Sequence, residues 1–340
     1  MQAVVFRKER GLVFEDVIRP DLEPDQVLVR VADTGFCGSD HTLVQSGNLP
    51  DGYILGHETS GTIVETGRDA REAVPGTRVI IRPTWCGTCL DCRSGRPYFC
   101  QNNRRSIGIG DLPGAFAEYI RVYPSMLIEV PEGVDSRNAA LAEAFAASLH
   151  AVAVTGKKGG AVLVIGGGTI GLALVRLLKI LDFGPVALSE PVLEKRELAL
   201  GFGADAVIDP LTENLGLRVF ETTNGTGFET VFECSGVPAC VQAALDAAAR
   251  GGTVCVVSVI SRPVEIPPIL LNFKEVWLTG SYSNTHEENR RVLGWMAEGR
   301  LDGRPLITDL IGLEELPEVY RDRIDTGRAI KVMLRIGEEF

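Results

Sequence analysis

Residues 159–181 read "GGAVLVIGGGTIGLALVRLLKIL". The run "VLVI" is apolar at every position and too short for a helix, which is the pattern of a strand buried on both faces. Three glycines follow at once, and apolar residues then recur at helical spacing from Ile170 onward. Gly166, Gly168 and Gly171 make G-x-G-x-x-G, with Thr169 and Ile170 between the last two. The first glycine permits a tight turn, the second lets a pyrophosphate approach the main chain, and the third lets helix pack on strand. The helix start then presents N–H groups and the positive end of its dipole to the phosphates. Glu190 closes the next apolar run, 19 residues past Gly171. A carboxylate there accepts hydrogen bonds from the adenosine ribose hydroxyls and repels a 2′-phosphate, so the expected cofactor is NAD. Lys195 and Arg196 stand nearby and keep NADP open.

Downstream, "DAVID", "ETVFECSG", "GGTVCVVSVI" and "EVWLTGS" are short apolar runs, mostly separated by helix-like segments such as "PACVQAALDAAARGG". Such alternation implies a doubly wound, mostly parallel α/β sheet with helices on both faces, a Rossmann fold. Upstream the texture differs: "QVLVRVADTG", "GTIVETG", "TRVIIRP" and "FAEYIRVYP" are short β-prone runs bounded by turn residues, the mark of a β-rich domain. Six strands are used by Ser281, so the tail, with helix "EENRRVLGWMAEG" and strand "AIKVMLRI", is expected to return to the first domain. The expected boundaries are 1–145 for a catalytic domain, 146–282 for the inserted dinucleotide domain and 283–340 for the return.

A chain of 340 residues is long for one core, which agrees with two domains. Its formal net charge of -11 argues against nucleic acid or an anionic membrane as partner. The longest apolar stretch, 161–175, holds four glycines and meets Arg176, so it falls short of a membrane span. Arg7, Lys8 and Glu9 stand where a signal peptide would be apolar, and a cytoplasmic location is expected.

Four of the eight cysteines, Cys86, Cys89, Cys92 and Cys100, are spaced C-x2-C-x2-C-x7-C. In a reducing compartment such a cluster reads as a metal site. Four thiolates saturate a tetrahedral zinc and leave no open position, so this zinc holds structure. An iron–sulfur cluster is the rival occupant; a redox role for "CGTC" lacks the surrounding thioredoxin-like βαβ unit. Cys234, Cys240 and Cys255 lie in apolar surroundings and read as small buried hydrophobes. Cys37 in "GFCGSD", His57 and Glu58 in "GHETSG" and Glu143 in "ALAEAF" form a second set. One thiolate, one imidazole and carboxylates leave room for water or substrate, as a catalytic zinc requires. His41, His150 and His286 match no ligand spacing and read as surface or packing residues; Arg82 could face the substrate cleft and favour an anionic or hydroxyl-rich substrate, but a surface arginine is the preferred reading.

With "GFCGSD", "GHETSGTIVETG", the cysteine lobe, "GAFAEY", "GGGTIG", "FECSG" and "GRAIKVML" together, the chain resembles the zinc-dependent medium-chain dehydrogenase/reductase family over essentially its whole length. The resemblance implies a GroES-like catalytic domain with two zinc ions, one catalytic at Cys37, His57, Glu58 and Glu143 and one structural at the cysteine quartet. It implies an alcohol or polyol dehydrogenase, with Ser39 taking the substrate's proton, Asp40 supporting the zinc loop and Lys331 near the pyrophosphate. Glu143 stands where the ethanol-oxidising branch has cysteine, which resembles the sorbitol, threonine and butanediol branch acting on secondary alcohols, polyols and amino alcohols. Glu58 and Glu143 need not ligate together. A relay histidine common in relatives is here Thr42, with His41 one position early; a shifted loop and another proton path both remain open. The resemblance also implies a homotetramer or homodimer joined at a sheet edge. The rival classes are a non-catalytic NAD- or zinc-binding sensor, which would have lost a ligand, and a zinc-free quinone reductase, which would lack both metal motifs.

Overall fold

The computed structural model describes residues 1–340, which divide into two compact units, 1–143 with 285–340, and 144–284. The second unit is built on six parallel strands. In spatial order they are Ala206–Ile208, Val186–Ser189, Val162–Ile165, Phe228–Glu233, Ala248–Val256 and Trp277–Gly280. Chain order reverses between Val162–Ile165 and Phe228–Glu233, the switch point at which such sheets bind ligands. All four residues of Val162–Ile165 are buried, because helices cover both faces of a parallel sheet. Leu163, Val231, Leu245 and Val254 belong to the core of this unit.

The first unit is β-rich and mostly antiparallel. Its larger sheet runs Ile307–Ile311, Lys331–Arg335, Val27–Gly35, Glu58–Thr66, Arg78–Ile81, Leu127–Glu129, and Tyr119–Val122 pairs with Val27–Gly35 as well. A smaller sheet joins Gly11–Asp16, Gln2–Arg7 and Tyr53–Ile54. The tail strand Lys331–Arg335 pairs antiparallel with Val27–Gly35, Met333 opposite Gly35. The chain thus completes this sheet with a strand made after the second unit.

Register brings the ends of these strands together. Gly35 lies opposite Glu58 and Ser60 opposite Ile80, so Cys37, Glu58 and Arg82 emerge side by side. Beneath them Phe36 stacks on Phe116 at 5.6 Å between ring centroids, in a core with Leu55, Val332 and Leu334. Phe116 has no solvent exposure. Replacing it by alanine is expected to cost about 3–5 kcal/mol, a cavity effect, with a lower urea midpoint for the first unit. An unchanged midpoint would show that this stack does not hold the segment before Cys37.

Candidate active site and cofactor-binding turn

Cys37, two residues past strand Val27–Gly35, caps helix Gly38–Ser46, its N–H donating to Asp40 Oδ2 at 2.9 Å. Asp40 is fully buried, and its Oδ1 accepts from His57 Nδ1 at 3.2 Å. A carboxylate partner requires the proton on Nδ1, which turns the Nε2 lone pair toward a ligand. Ser39 Oγ lies 3.3 Å from that Nε2. Burial opposes a charge on the ring, yet Asp40 and Cys37 together outweigh it and raise His57 well above the usual imidazole range.

Both carboxylates of the set are held by cations. Glu58 Oε2 accepts from Lys331 Nζ at 2.6 Å, and Lys331 also donates to the Phe36 carbonyl at 3.0 Å. Burial alone would lower the Lys331 ammonium; Glu58 and Cys37 reverse the effect and raise it. Gly35 makes the pair possible, since a Cβ there would stand 2.2 Å from Glu58 Oε2. Glu143 Oε1 accepts from Arg82 Nη2 at 3.0 Å, and Arg82 Nη1 lies 3.4 Å from the His57 carbonyl.

One expectation is corrected here, and another residue gains partners. Lys331, expected near a pyrophosphate, is 2% exposed, and its ammonium donates to Glu58 and to the Phe36 carbonyl. Arg82 is not a surface arginine: it is 4% exposed and binds Glu143. Sequence reasoning raised the substrate cleft for Arg82 but preferred the surface, and it did not foresee the pairing with Glu143. The available signal was a charge ending the apolar run "RVII", on the strand that pairs with the one opened by His57-Glu58.

The donor set fits a divalent cation. With Cys37 as thiolate, it, Asp40, Glu58 and Glu143 bring four negative charges against the two positive charges of Lys331 and Arg82. Two negatives remain, which a divalent cation would offset; Cys37 and His57 Nε2 would hold it, with a carboxylate completing the protein's share. His41 Nδ1 lies 3.2 Å from Tyr320 Oη, and its ring rests against Tyr320. His286 Nε2 donates to the Pro83 carbonyl at 2.7 Å, and burial pushes its pKa down.

The cysteine quartet is arranged differently. Its four sulfur atoms all lie within 4.8 Å of one another, around a single helical turn, Leu90–Arg93, that Cys89 caps. Main-chain N–H groups aim at the sulfurs: Cys89 N lies 3.3 Å from Cys86 Sγ, and Cys86 N lies 3.4 Å from Cys100 Sγ. Bonds from Thr88 N–H, the Thr88 hydroxyl and Cys89 N–H pull Cys86 down to about 6, so this thiol ionises readily. Burial and the neighbouring Cys89 push Cys92 up to about 12, which coordination of a metal would reverse. Four sulfurs with N–H donors around them fit a tetrahedral structural zinc.

In the second unit the three glycines have separate reasons. Gly166 has φ +101°, and a Cβ there would stand 2.8 Å from the Ser235 main chain. A Cβ on Gly171 would stand 1.9 Å from the Gly166 carbonyl, so the helix Thr169–Ile180 packs against its own turn. A Cβ on Gly168 meets no protein atom within 4 Å, and no side chain caps this helix end, so the approach to Thr169 and Ile170 is open for a phosphate. Glu190 sits beside the turn, accepting from Gly167 N at 2.6 Å and Val192 N at 2.9 Å. Lys195 lies against the same turn, its Cβ 3.2 Å from where a Gly167 Cβ would be. Arg196 is committed elsewhere, Nη1 donating to the Glu190 carbonyl at 2.7 Å and Nη2 pairing with Asp209 at 3.3 Å.

The family model "Alcohol dehydrogenase GroES-like domain" matches residues 23–132, and "Zinc-binding dehydrogenase" matches residues 169–298. Scyllo-inosose 3-dehydrogenase of Thermotoga maritima is 33% identical, with 95% of this chain and 89% of that protein covered. The chain belongs to the zinc-dependent medium-chain dehydrogenase/reductase family. As a member it is a zinc-containing, NAD(P)-dependent oxidoreductase acting on alcohols. Sorbitol dehydrogenase of Bacillus subtilis is 28% identical, over 98% of this chain and 97% of that one. A zinc-binding dehydrogenase from Sinorhizobium meliloti, solved with NADP, superposes with a TM-score of 0.89 at 33% identity, 98% of each chain being covered.

The turn offers a clean contrast. Gly168→Ala is expected to leave thermal unfolding unchanged while weakening dinucleotide binding about tenfold or more, because the methyl takes the space left for the pyrophosphate. Gly171→Ala is expected to lower the unfolding temperature as well, since its methyl overlaps the Gly166 carbonyl. Equal behaviour of the two variants in calorimetry and cofactor titration would contradict this division.

Proposed function

We propose that the chain oxidises a secondary hydroxyl of a polyol or cyclitol to a ketone, with NAD+ preferred over NADP+. The observation that carries this reading is the donor set of the first unit, in which Glu143 is a carboxylate rather than a third thiol and is tied by Arg82 to the main chain of His57. The kinship with a cyclitol and a polyol dehydrogenase supports the substrate class. Glu190 beside the glycine turn, with Arg196 engaged by Asp209, supports NAD.

Cys37 and His57 would hold the catalytic zinc, with Glu58 or Glu143 as the further protein ligand. When bound, the metal supplies a Lewis acid for the substrate oxygen and the dinucleotide a hydride acceptor. The chain's own residues orient and move protons. Asp40 holds His57 with Nδ1 protonated, so the ring cannot swing. Ser39 Oγ, beside His57 Nε2, takes the hydroxyl proton while handing its own to a hydrogen-bonded relay that includes the cofactor's ribose. The quartet Cys86, Cys89, Cys92 and Cys100 would hold a second zinc that keeps its loop folded.

A dimer or tetramer suits the outermost strand of the parallel sheet, Trp277–Gly280, where Trp277 is 74% exposed. All eight cysteines are free thiols, which suits a reducing cytoplasm. No helix is long and apolar enough to cross a membrane.

The test pairs metal analysis with NAD+ and NADP+ reduction over polyols, cyclitols, diols and threonine. Two zinc ions per chain and turnover of a polyol or cyclitol, faster with NAD+, are expected; two zinc ions with no turnover of any of these would refute the substrate class. Ser39→Ala should lower kcat about 100-fold with zinc content unchanged, an acid–base loss. Turnover unaffected at every pH would remove Ser39 from the proton path.

A further inference from the structure

The second unit buries a carboxylate that has no cation beside it. Glu233 ends the strand Phe228–Glu233 and is fully buried, opposite Ile165 on one side and Val256 on the other. Its Oε1 accepts from the Ser235 N–H at 2.8 Å, the Gly236 N–H at 3.2 Å and the Ser235 hydroxyl. Its Oε2 accepts from the Ser258 hydroxyl. The Glu233 carbonyl accepts from the N–H groups of Val257 and Ser258, at 2.9 and 3.2 Å.

Burying an anion among neutral groups is costly unless donors fill its lone pairs. Here the donors come from two loops, 234–237 after its own strand and 257–259 after Ala248–Val256, so one side chain holds both. The loops also touch. Gly236 has φ +72°, and a Cβ there would stand 3.7 Å from the Val259 carbonyl and 3.9 Å from Ser258 Cβ. The sheet reverses its chain order between the strands of Ile165 and Glu233, and a dinucleotide lies across such a switch. Glu190 and the glycine turn stand on the side that takes the adenosine and the pyrophosphate, which leaves the two loops to the other half. We propose that Glu233 is a positioning residue that locks loops 234–237 and 257–259 into the seat of the nicotinamide ring. It acts through the main chain of Ser235 and Gly236 and through Ser258, without touching the ring itself. The inference rests on the reading of the glycine turn as the dinucleotide site.

The test compares two ligands on the full-length, zinc-loaded protein: NADH, and ADP-ribose, which lacks only the nicotinamide. Glu233→Gln is expected to weaken NADH binding about tenfold, the size of one or two lost hydrogen bonds, and to move the emission of bound NADH toward that of free NADH. ADP-ribose binding, read by calorimetry, should stay within about twofold of wild type. Ser258→Ala frees the second loop alone and should shift NADH in the same direction by less. If Glu233→Gln does not fold, the Ser235→Ala/Ser258→Ala double variant makes the same comparison. NADH binding and emission unchanged in the variants, or both ligands weakened by the same factor, overturns the proposal. A wild-type protein that binds neither ligand overturns the dinucleotide reading itself; one that binds both, with NADH indifferent to Glu233, overturns this inference alone.

Discussion

The Lys331 ammonium meets the Glu58 carboxylate at 2.6 Å, across 273 residues of chain and with both side chains 1% exposed. The pair exists because Lys331–Arg335 and Glu58–Thr66 both border Val27–Gly35, and because Gly35 has no side chain in the way. Removing one member of such a pair leaves an uncompensated buried charge, at a cost of about 3–5 kcal/mol. The tail strand therefore does more than complete a sheet. It delivers the cation without which a carboxylate could not be buried next to Cys37 and His57.

From that pair the character of the centre follows. Four acidic groups are gathered where water is scarce, and two buried bases offset only half of them. His57 and Lys331 are both raised against the effect of burial, which reports the same negative surplus from two directions. The cysteine quartet would hold a cation by another route. Its sulfurs are within 4.8 Å of one another and stabilised by main-chain N–H groups, with no buried counter-cation needed. One site is closed and self-sufficient; the other is open and depends on distant strands.

This difference explains what could be read from sequence. The quartet lies within residues 86–100, and the glycine turn lies within 166–171, so local spacing carries their chemistry. Cys37, His57, Glu58 and Glu143 were legible as residue types that bind metal, and the strand–helix alternation revealed the parallel sheet. The partners of those residues were not legible. Arg82 lies 61 residues from Glu143, and sheet register alone brings them together. An arginine or lysine in the sequence carries no mark of whether it faces water or a carboxylate. Surface arginine was accordingly the wrong reading of Arg82, and the pairing of Lys331 with Glu58 went unread.

The dinucleotide end shows the same economy in a smaller space. Glu190 accepts from the N–H of Gly167, inside the very turn that the phosphates would approach. Its carboxylate thus has a structural task, fixing the turn, that is present before any ligand arrives. A carboxylate oxygen has two lone pairs, so one N–H bond each from Gly167 and Val192 leaves acceptor capacity for ribose hydroxyls. Arg196 supports the arrangement from behind, binding the Glu190 carbonyl and Asp209 rather than standing free for a phosphate. The proposed preference for NAD+ would then follow from rigidity: the acid cannot turn aside without releasing Gly167, and the arginine cannot turn toward a 2′-phosphate without abandoning Asp209.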